Sequence, residues 1–600
     1  IAMMMSLEQE ASQLAAANQA FGALNSAYVD VIQGRGAIRW RWHHYLQPQL
    51  WWATCCEVEE HHTTDAQSLI AIRAGGYTGV PTRPVTLPPG TLHPPAYVHK
   101  AAVPPQAAGS ITTFVDPSRP PPPDSQMRLE LIAVMAAVPT CVHNTLEDLV
   151  LGFCSRLNRE VESRADDDLW DGAWNTGKNN HRSVLSRFHH HRGSTIHVSD
   201  SMREEWIRRF PENLQQLYRE AWTDYNVHGL RDSDLVGRIM LKVEKSAMCL
   251  PGELASLTPR CVISFKEKRQ LITGPVDWHM AKRLRAKCSP ADLSNPFVWV
   301  NGPSAEMFGA WFDYQVAAIR RQTGKVWFEW GDNERFESKR RHAAFRYTKS
   351  LRLSAVDKTE VDYVKIQKKS AKVTGSGVRH PCTFKLFEVL CSGGTETSLD
   401  SAQRNGTQLV LVFGEPQPGI SALAFNGDDW LRISSEPLGE EAFHATMTKL
   451  GGVSEYGAST ALADIEFCQA IPYPVNGETV WGPKIGRVLS RLPYTTTAGD
   501  FDAVGVAKGM LPACSHIPFL REYLDYVILF RPGAETVQYE HHVGSSRIRA
   551  PASDTWAFLG ERYQLYHIDL NSFLHTLRSA VCLRTVVNWE RGLEVMRRDE

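Results

Sequence analysis

Adjacent carboxylates bracketed by apolar runs are the residues of this chain best suited to chemistry. The segment Ser421-Ala-Leu-Ala-Phe-Asn-Gly427-Asp428-Asp429-Trp430-Leu-Arg-Ile reads as a β-hairpin with acids at its tip. A tip presents carboxylates to ligands, and hard divalent cations take oxygen ligands. A second acidic position, Asp332, ends the strand-like aromatic run Val326-Trp-Phe-Glu-Trp-Gly. One carboxylate at a strand end and another on a neighbouring hairpin is a way to hold a divalent metal pair for phosphoryl transfer, which makes Asp332 and Asp428 the metal candidates. A Gly-Asp-Asp tripeptide occurs by chance in about one chain in ten of this length, so its weight comes from what surrounds it.

Between the acids lies Cys391-Ser392-Gly393-Gly394-Thr395-Glu396-Thr397-Ser398-Leu399-Asp400-Ser401, a small-residue loop running into a helix-compatible stretch. Gly393 and Gly394 permit close backbone approach to a ligand, and hydroxyls at a helix start can hydrogen-bond sugar or backbone oxygens. From Arg260 to Cys288 eight basic residues stand against two acidic ones, a local excess of six. Further basic stretches run from Arg182 to Arg192, with His189-His190-His191, and from Lys365 to Lys372. Taken alone, each charge run reads as a solvated face.

The order of these parts resembles motifs A, B, C and E of the RNA-dependent RNA polymerases of positive-strand RNA viruses, nearest to the tombusvirus-like and nodavirus-like group. The residues are Asp332 with Arg335-Phe336 and Glu337, then Ser392-Gly393 with Thr397, then Gly427-Asp428-Asp429, then Ile465-Glu466-Phe467-Cys468-Gln469. Upstream, Leu241-Lys242-Val243-Glu244-Lys245 and Pro259-Arg260-Cys261-Val262-Ile263, followed by Lys266, Lys268 and Arg269, resemble the basic fingers motifs. Gly482-Pro483-Lys484-Ile485-Gly486-Arg487 resembles the loop joining palm to thumb. The motif-bearing resemblance spans Lys242 to Arg487.

The resemblance implies nucleotidyl transfer from NTPs on an RNA template. Asp332 and Asp428, with Asp429 assisting, would hold two Mg2+ ions, with Mn2+ as an alternative. Arg260, Lys266 and Arg269, with Lys242 nearby, would balance the triphosphate, a task suited to Arg forks and Lys point charges. Arg-Cys-Val-Ile and Arg-Gln-Leu-Ile fit the principal position almost equally well, so Arg260 is favoured and Arg269 kept. Ser392, Gly393, Thr397 and Ser401 would place template and ribose. Two departures bear on sugar selection: Glu337 stands where the group carries Asp, and Ser401 where it carries Asn, with Asn405 one turn further on. For the motif D lysine only Lys449 is near. The alternatives are a polymerase-like RNA-binding protein with weak or no catalysis, and a reverse transcriptase.

Positioning such a site needs a sizeable scaffold, and 600 residues correspond to about four compact units. The chain is 43% hydrophobic and 22% charged, which excludes collagenous and wholly disordered classes. With 65 basic and 66 acidic residues, net charge does not announce a nucleic-acid partner. Twelve cysteines without a tight CxxC pair fit a reducing, intracellular setting. Cys55, Cys56, His61 and His62 are soft donors, but adjacent cysteines are poor spacing for tetrahedral zinc. No apolar stretch is long enough for a transmembrane segment, and the start lacks a secretory signal.

The expected fold class is α+β, a right-hand polymerase with an antiparallel palm sheet and a helical thumb. Residues 1–125 are assigned to an N-terminal region with a Pro-rich linker, 126–320 mainly to fingers, 321–490 to palm with an inserted fingers segment, and 491–600 to thumb. Helices are expected from Asn144 to Asn158 and from Ser201 to Tyr225, and Glu466-Phe467-Cys468-Gln469 is read as a strand. Expected partners are RNA template and product, NTPs and other viral replication proteins, in the host cytoplasm at membrane-associated replication complexes.

Overall fold

The computed structural model describes residues 128–599 except 136–137, 142–144, 158–166, 191–194, 250–258, 303, 335, 337–342, 497–501 and 538–546, together with strand segments at Cys56–His62, Ser68–Ala74, Tyr77–Gly79, His99–Lys100 and Gly109–Thr113. Glu337, Arg335, His191 and most of the Pro-rich stretch lie outside the described residues, as do the side chains of Cys55, Cys56, His61 and His62. The chain is α+β, with several small sheets and helices on their faces.

Five strands form the sheet that carries the acids: β1 (Phe297–Trp299), β2 (Trp327–Asp332), β3 (Ser421–Asn426), β4 (Asp429–Ser434) and β5 (Gly457–Ser459), in the order β1-β3-β4-β2-β5. All neighbours are antiparallel except the parallel pair β1 and β3. Side chains alternate between faces with period two, and here both faces are covered. Val298, Ala422, Ala424, Leu431 and Ile433 pack on one side with Phe308, Trp311 and Phe312. Phe297, Trp299, Leu423, Phe425 and Trp430 pack on the other with Leu399, Ala402 and Leu409.

Six helices matter to the site: α1 (Glu267–Lys287), α2 (Ala305–Thr323), α3 (Ala343–Ala355), α4 (Val361–Lys369), α5 (Thr397–Phe413) and α6 (Glu440–Lys449). Helix α2 covers the first face; its start is capped by Ser304, which accepts from the Met307 N–H at 3.2 Å, and it ends at Gly324 with φ +75°. Helix α5 covers the second.

A six-stranded sheet lies beside this body in the order Cys261–Ser264, Gly237–Leu241, Lys372–Gly377, Cys382–Phe387, Gly109–Thr113, His99–Lys100. Its edge strand Cys261–Ser264 follows Arg260 and bridges Ser264 to Gly393. Downstream, helices from Ile485–Arg491 to Gly592–Asp599 pack around Leu520, Tyr523, Phe573 and Trp589. Leu131, Ile132, Val134 and Met135 enter that same core, guided by the pairing of Arg128–Leu129 with Tyr494–Thr495. Among the described residues no helix is long and apolar enough to cross a membrane.

Three local expectations are corrected. The Ser201–Tyr225 helix is two helices, Asp200–Ile207 and Glu212–His228, because Pro211 cannot continue the first and sits at the N-cap of the second. The Asn144–Asn158 helix is α-helical only over Leu146–Gly152 and is capped by Thr145, which accepts from the Asp148 N–H at 3.1 Å; Phe153–Leu157 continues it as a wider turn. The Glu466–Gln469 strand is a tight turn: Phe467 and Ala470 exchange backbone hydrogen bonds at 3.0 Å, with Cys468 at φ +53° and Gln469 at φ +61° between them. Two positive φ angles are what a primed two-residue turn requires, and neither residue is the usual Asn or Gly.

Candidate active site

Strands β3 and β4 form a hairpin in which Asn426 pairs with Asp429 across the two-residue loop Gly427-Asp428. Gly427 has φ +62° at the first loop position, where hairpin turns of the II′ class place glycine. On its other edge β4 pairs with β2 so that Asp332 lies directly opposite Asp429. Sheet register thus gathers the three sequence-predicted carboxylates at one end of one sheet.

The backbone at that end is clamped. Asn405, fully buried on α5, donates through Nδ2 to the carbonyls of Gly427 at 3.1 Å and Asp429 at 2.9 Å. Asn333 donates to the Asp428 carbonyl from its backbone N–H at 3.1 Å and from Nδ2 at 2.9 Å, and also to Asn405 Oδ1 at 3.1 Å. Below them Glu329, fully buried in β2, ion-pairs with Arg432 and accepts from Tyr456 at 2.7 Å and the Leu438 N–H at 2.8 Å, locking β2 to β4. Asn405→Ala is expected to destabilise the chain by about 2–3 kcal/mol, because it leaves the buried-side carbonyls of Gly427 and Asp429 without their donor. Urea unfolding checks this, and a loss below about 1 kcal/mol contradicts it.

Burial first and mutual repulsion second set the electrostatics of the acids. Burial, then Asp428, Asp429 and Glu455, push the Asp332 carboxyl up to about 8, and Arg260 pulls it back. Burial and Asp428 push Asp429 up to about 7, opposed by hydrogen bonds from the backbone and side chain of Cys468 and by the charge of Lys484. Asp332 Oδ1 is buried without a hydrogen-bond partner. Oxygen-only donors, crowded negative charge and an orphaned carboxylate oxygen fit a divalent cation, although no described group of three His, Cys, Asp or Glu is already drawn together tightly enough to form a metal cluster.

These raised values have a consequence for stability. A carboxyl whose folded pKa lies above its unfolded value near 4 binds more protons when folded, so its contribution is present below about pH 4 and is lost as pH rises through 7 to 8. In EDTA the melting temperature is expected to fall between pH 5 and 8.5, and Mg2+ should raise it more at pH 8 than at pH 6. Thermal unfolding across pH checks this, and an equal Mg2+ shift at both pH values contradicts it.

The small-residue loop docks on the edge strand of the six-stranded sheet. Gly393 donates to the Ile263 carbonyl at 3.1 Å, and a Cβ there would lie 2.7 Å from that oxygen, so the close approach requires glycine. Ser392 Oγ donates to the Cys261 carbonyl at 3.3 Å, and Thr397 Oγ1 to the carbonyls of Cys391 at 2.8 Å and Gly394 at 2.9 Å. Both hydroxyl protons therefore shape the loop. Ser401 is buried one turn before Asn405.

The structure separates the two arginine candidates. Arg260 is half-exposed at the strand edge, pairs with Glu244 at 3.5 Å and acts electrostatically on Asp332. Arg269 is buried, pairs with Glu396 at 3.6 Å and stacks over Phe265, and so braces the loop that carries Gly393 and Gly394. Lys242 is exposed and pairs with Glu244 at 2.8 Å; Lys266 faces Asp234 at 3.7 Å. Lys268, read as solvated, is buried between Asp224 and Asp234, and His189 is buried with its ring 4.8 Å from that of Trp174. Lys449 is exposed at the end of α6.

Sequence reasoning missed two participants. Exposed Glu455 joins the acids because its N–H donates to the Asp332 carbonyl at 2.9 Å, and Gly331 permits the approach, since a Cβ there would lie 2.0 Å from the Glu455 carbonyl oxygen. Lys484, buried and ion-paired with Glu466, lends positive charge to Asp429. No local signal marks Glu455; Lys484 lies within the Gly482–Arg487 segment already singled out. Compared with protein-family models and with curated proteins, the chain matches none.

Proposed function

We propose that this chain is an RNA-directed RNA polymerase that extends a 3′-hydroxyl with NTPs on an RNA template. The observation that carries the reading is the register of β2 against the β3–β4 hairpin, which brings Asp332, Asp428 and Asp429 to one sheet end, clamped by Asn405 of α5, the helix that follows the loop of Ser392 and Gly393. When bound there, two Mg2+ ions would lower the pKa of the attacking hydroxyl and stabilise charge on the reacting phosphorus. Asp332, Asp428 and Asp429 would hold them, and Mn2+ suits the same oxygen donors. Arg260, at the edge of the neighbouring sheet, balances the triphosphate, with Lys242 and Lys266 adding long-range positive charge. The loop from Ser392 to Thr397 supports the template and ribose through its backbone shape.

In this reading the five-stranded sheet and its helices are the palm, the six-stranded sheet and α1 belong to the fingers, and the C-terminal helices form the thumb. The chain acts in the host cytoplasm at membrane-associated replication complexes, with RNA and other replication proteins as partners. The test offers NTPs and dNTPs separately to the purified chain on a primed RNA template with Mg2+. NTP-dependent product is the expected result, and product with dNTPs alone overturns the reading in favour of a reverse transcriptase.

A further inference from the structure

The helices under the Gly393–Thr395 loop enclose an uneven set of charges. Asp277, Glu396, Asp400, Arg269 and Arg352 are all buried, so three carboxylates share two guanidiniums. Arg269 pairs with Glu396 at 3.6 Å, and Arg352 with Asp400. The acid left over is Asp277, on α1 and 1% exposed. Among the described residues its hydrogen-bond partners are hydroxyls, Tyr363 of α4 at 2.9 Å from Oδ1 and Thr395 of the loop at 2.7 Å from Oδ2. A third negative charge in this dry interior is costly, and taking up one proton removes the cost.

The hydrogen-bond geometry needs the same proton. Three contacts run in series, from Asp277 Oδ2 to Thr395 Oγ1 at 2.7 Å, on to Thr273 Oγ1 at 2.7 Å and on to the Arg269 carbonyl at 3.1 Å. Thr395 and Thr273 supply one proton each and the carbonyl supplies none, so with Asp277 ionised one contact stays unfilled. A proton on Asp277 fills all three. Asp277 then donates to Thr395, Thr395 to Thr273, and Thr273 to the carbonyl.

Raising the pH takes that proton away. The groups facing Asp277 are Glu396 from the loop, Arg352 from α3, Tyr363 from α4 and, two turns back on its own helix, Arg269. Arg285, two turns on, lies over the Trp299 ring instead, 5.7 Å from its centroid. Burial, then the charge of Glu396, push the Asp277 carboxyl up to about 7, opposed by Arg352 and the two hydroxyls. Lifting the loop hydrates the carboxyl and returns it toward its ordinary value of about 4. The docked state therefore binds the extra proton, and opening becomes easier as pH rises from about 4 to about 7, levelling off above.

We propose that Asp277 is a proton-operated latch on the Gly393–Thr395 loop: protonated, it holds the loop on α1 through Thr395, and ionised, it releases the loop by repelling Glu396. The latch does not depend on the polymerase reading. Under that reading it governs the loop that supports template and ribose.

Amide hydrogen exchange of the full-length chain, without RNA or NTP and expressed as protection relative to the unfolded rate at each pH, tests this. The Gly393 N–H, bonded to the Ile263 carbonyl at 3.1 Å, reports on the loop. Between pH 5.5 and 7.5 wild-type protection over residues 391–399 is expected to fall about tenfold. Asp277→Asn, whose amide donates to Thr395 as the acid does and accepts from Tyr363, should keep the pH 5.5 protection at both values. Equal wild-type protection at the two pH values overturns the proposal, as does an Asp277→Asn variant that loses protection with pH as wild type does. If circular dichroism shows that variant misfolded, Thr395→Val carries the test. It should lower protection at pH 5.5 by about threefold or more and flatten the pH dependence, and wild-type protection and slope in this variant overturn the latch. Templated extension by a chain whose loop protection is indifferent to pH rejects the latch and keeps the polymerase; Asp277-dependent loss of protection in a chain that extends nothing does the reverse.

Discussion

Asp428→Asn is expected to slow RNA extension by about 10³-fold, ~4 kcal/mol of barrier, without unfolding the chain. The substitution keeps the shape of the hairpin tip, whose carbonyls are held by Asn405 and Asn333 through the backbone rather than through the Asp428 carboxylate. What disappears is a charge that raises the pKa of both Asp332 and Asp429. The variant should therefore melt at the same or a higher temperature than wild type in EDTA at pH 8, while losing the extra stability that Mg2+ confers there. Parallel extension rates and melting curves check this, and activity within tenfold of wild type would contradict the assignment.

Arg352→Ala is expected to destabilise the chain by about 3–5 kcal/mol, because truncating one member of a buried ion pair strands the other charge. Arg352 on α3 and Asp400 in the first turn of α5 are 1% and 0% exposed as side chains. Arg352 Nε also donates to Gln367 of α4 at 3.2 Å, so one guanidinium ties three helices. Beside it, Tyr363 and Thr395 converge on Asp277 of α1, and Thr395 belongs to the loop that carries Gly393. Urea unfolding measures the loss. Arg352→Met with Asp400→Leu should recover most of it, since removing both charges together leaves neither unpaired. A double variant no more stable than Arg352→Ala would show that the pair is not the source.

The acid-bearing end of the sheet was legible from sequence because its determinants are local. Glycine followed by two acids between apolar runs specifies a tight hairpin, and the aromatic run ending in Asp332 specifies a strand. Register then brings Asp332 opposite Asp429. Charge runs were less legible because the reading assumed solvent, and solvation depends on tertiary neighbours. Lys268 and Arg269 sit in the first turn of α1, where Asp224, Asp234 and Glu396, all distant in sequence, bury and neutralise them. The turn at Cys468-Gln469 carries no glycine or asparagine to announce it and is imposed by the pairing of Phe467 with Ala470. Glu455 reaches the site only because a segment far along the chain docks on Gly331. By contrast, Pro211 carries the signal for the break between Ile207 and Glu212, which the expectation of one helix from Ser201 to Tyr225 passed over.

The central claim is that three carboxylates on one sheet end perform templated nucleotidyl transfer, and single-nucleotide extension tests it most directly. A labelled RNA primer is annealed to four templates differing only in the first unpaired base, and each is offered every NTP in turn with Mg2+. The account predicts one added nucleotide only where the NTP complements the template base. Absence of extension by the folded chain, or addition indifferent to the template base, would contradict it.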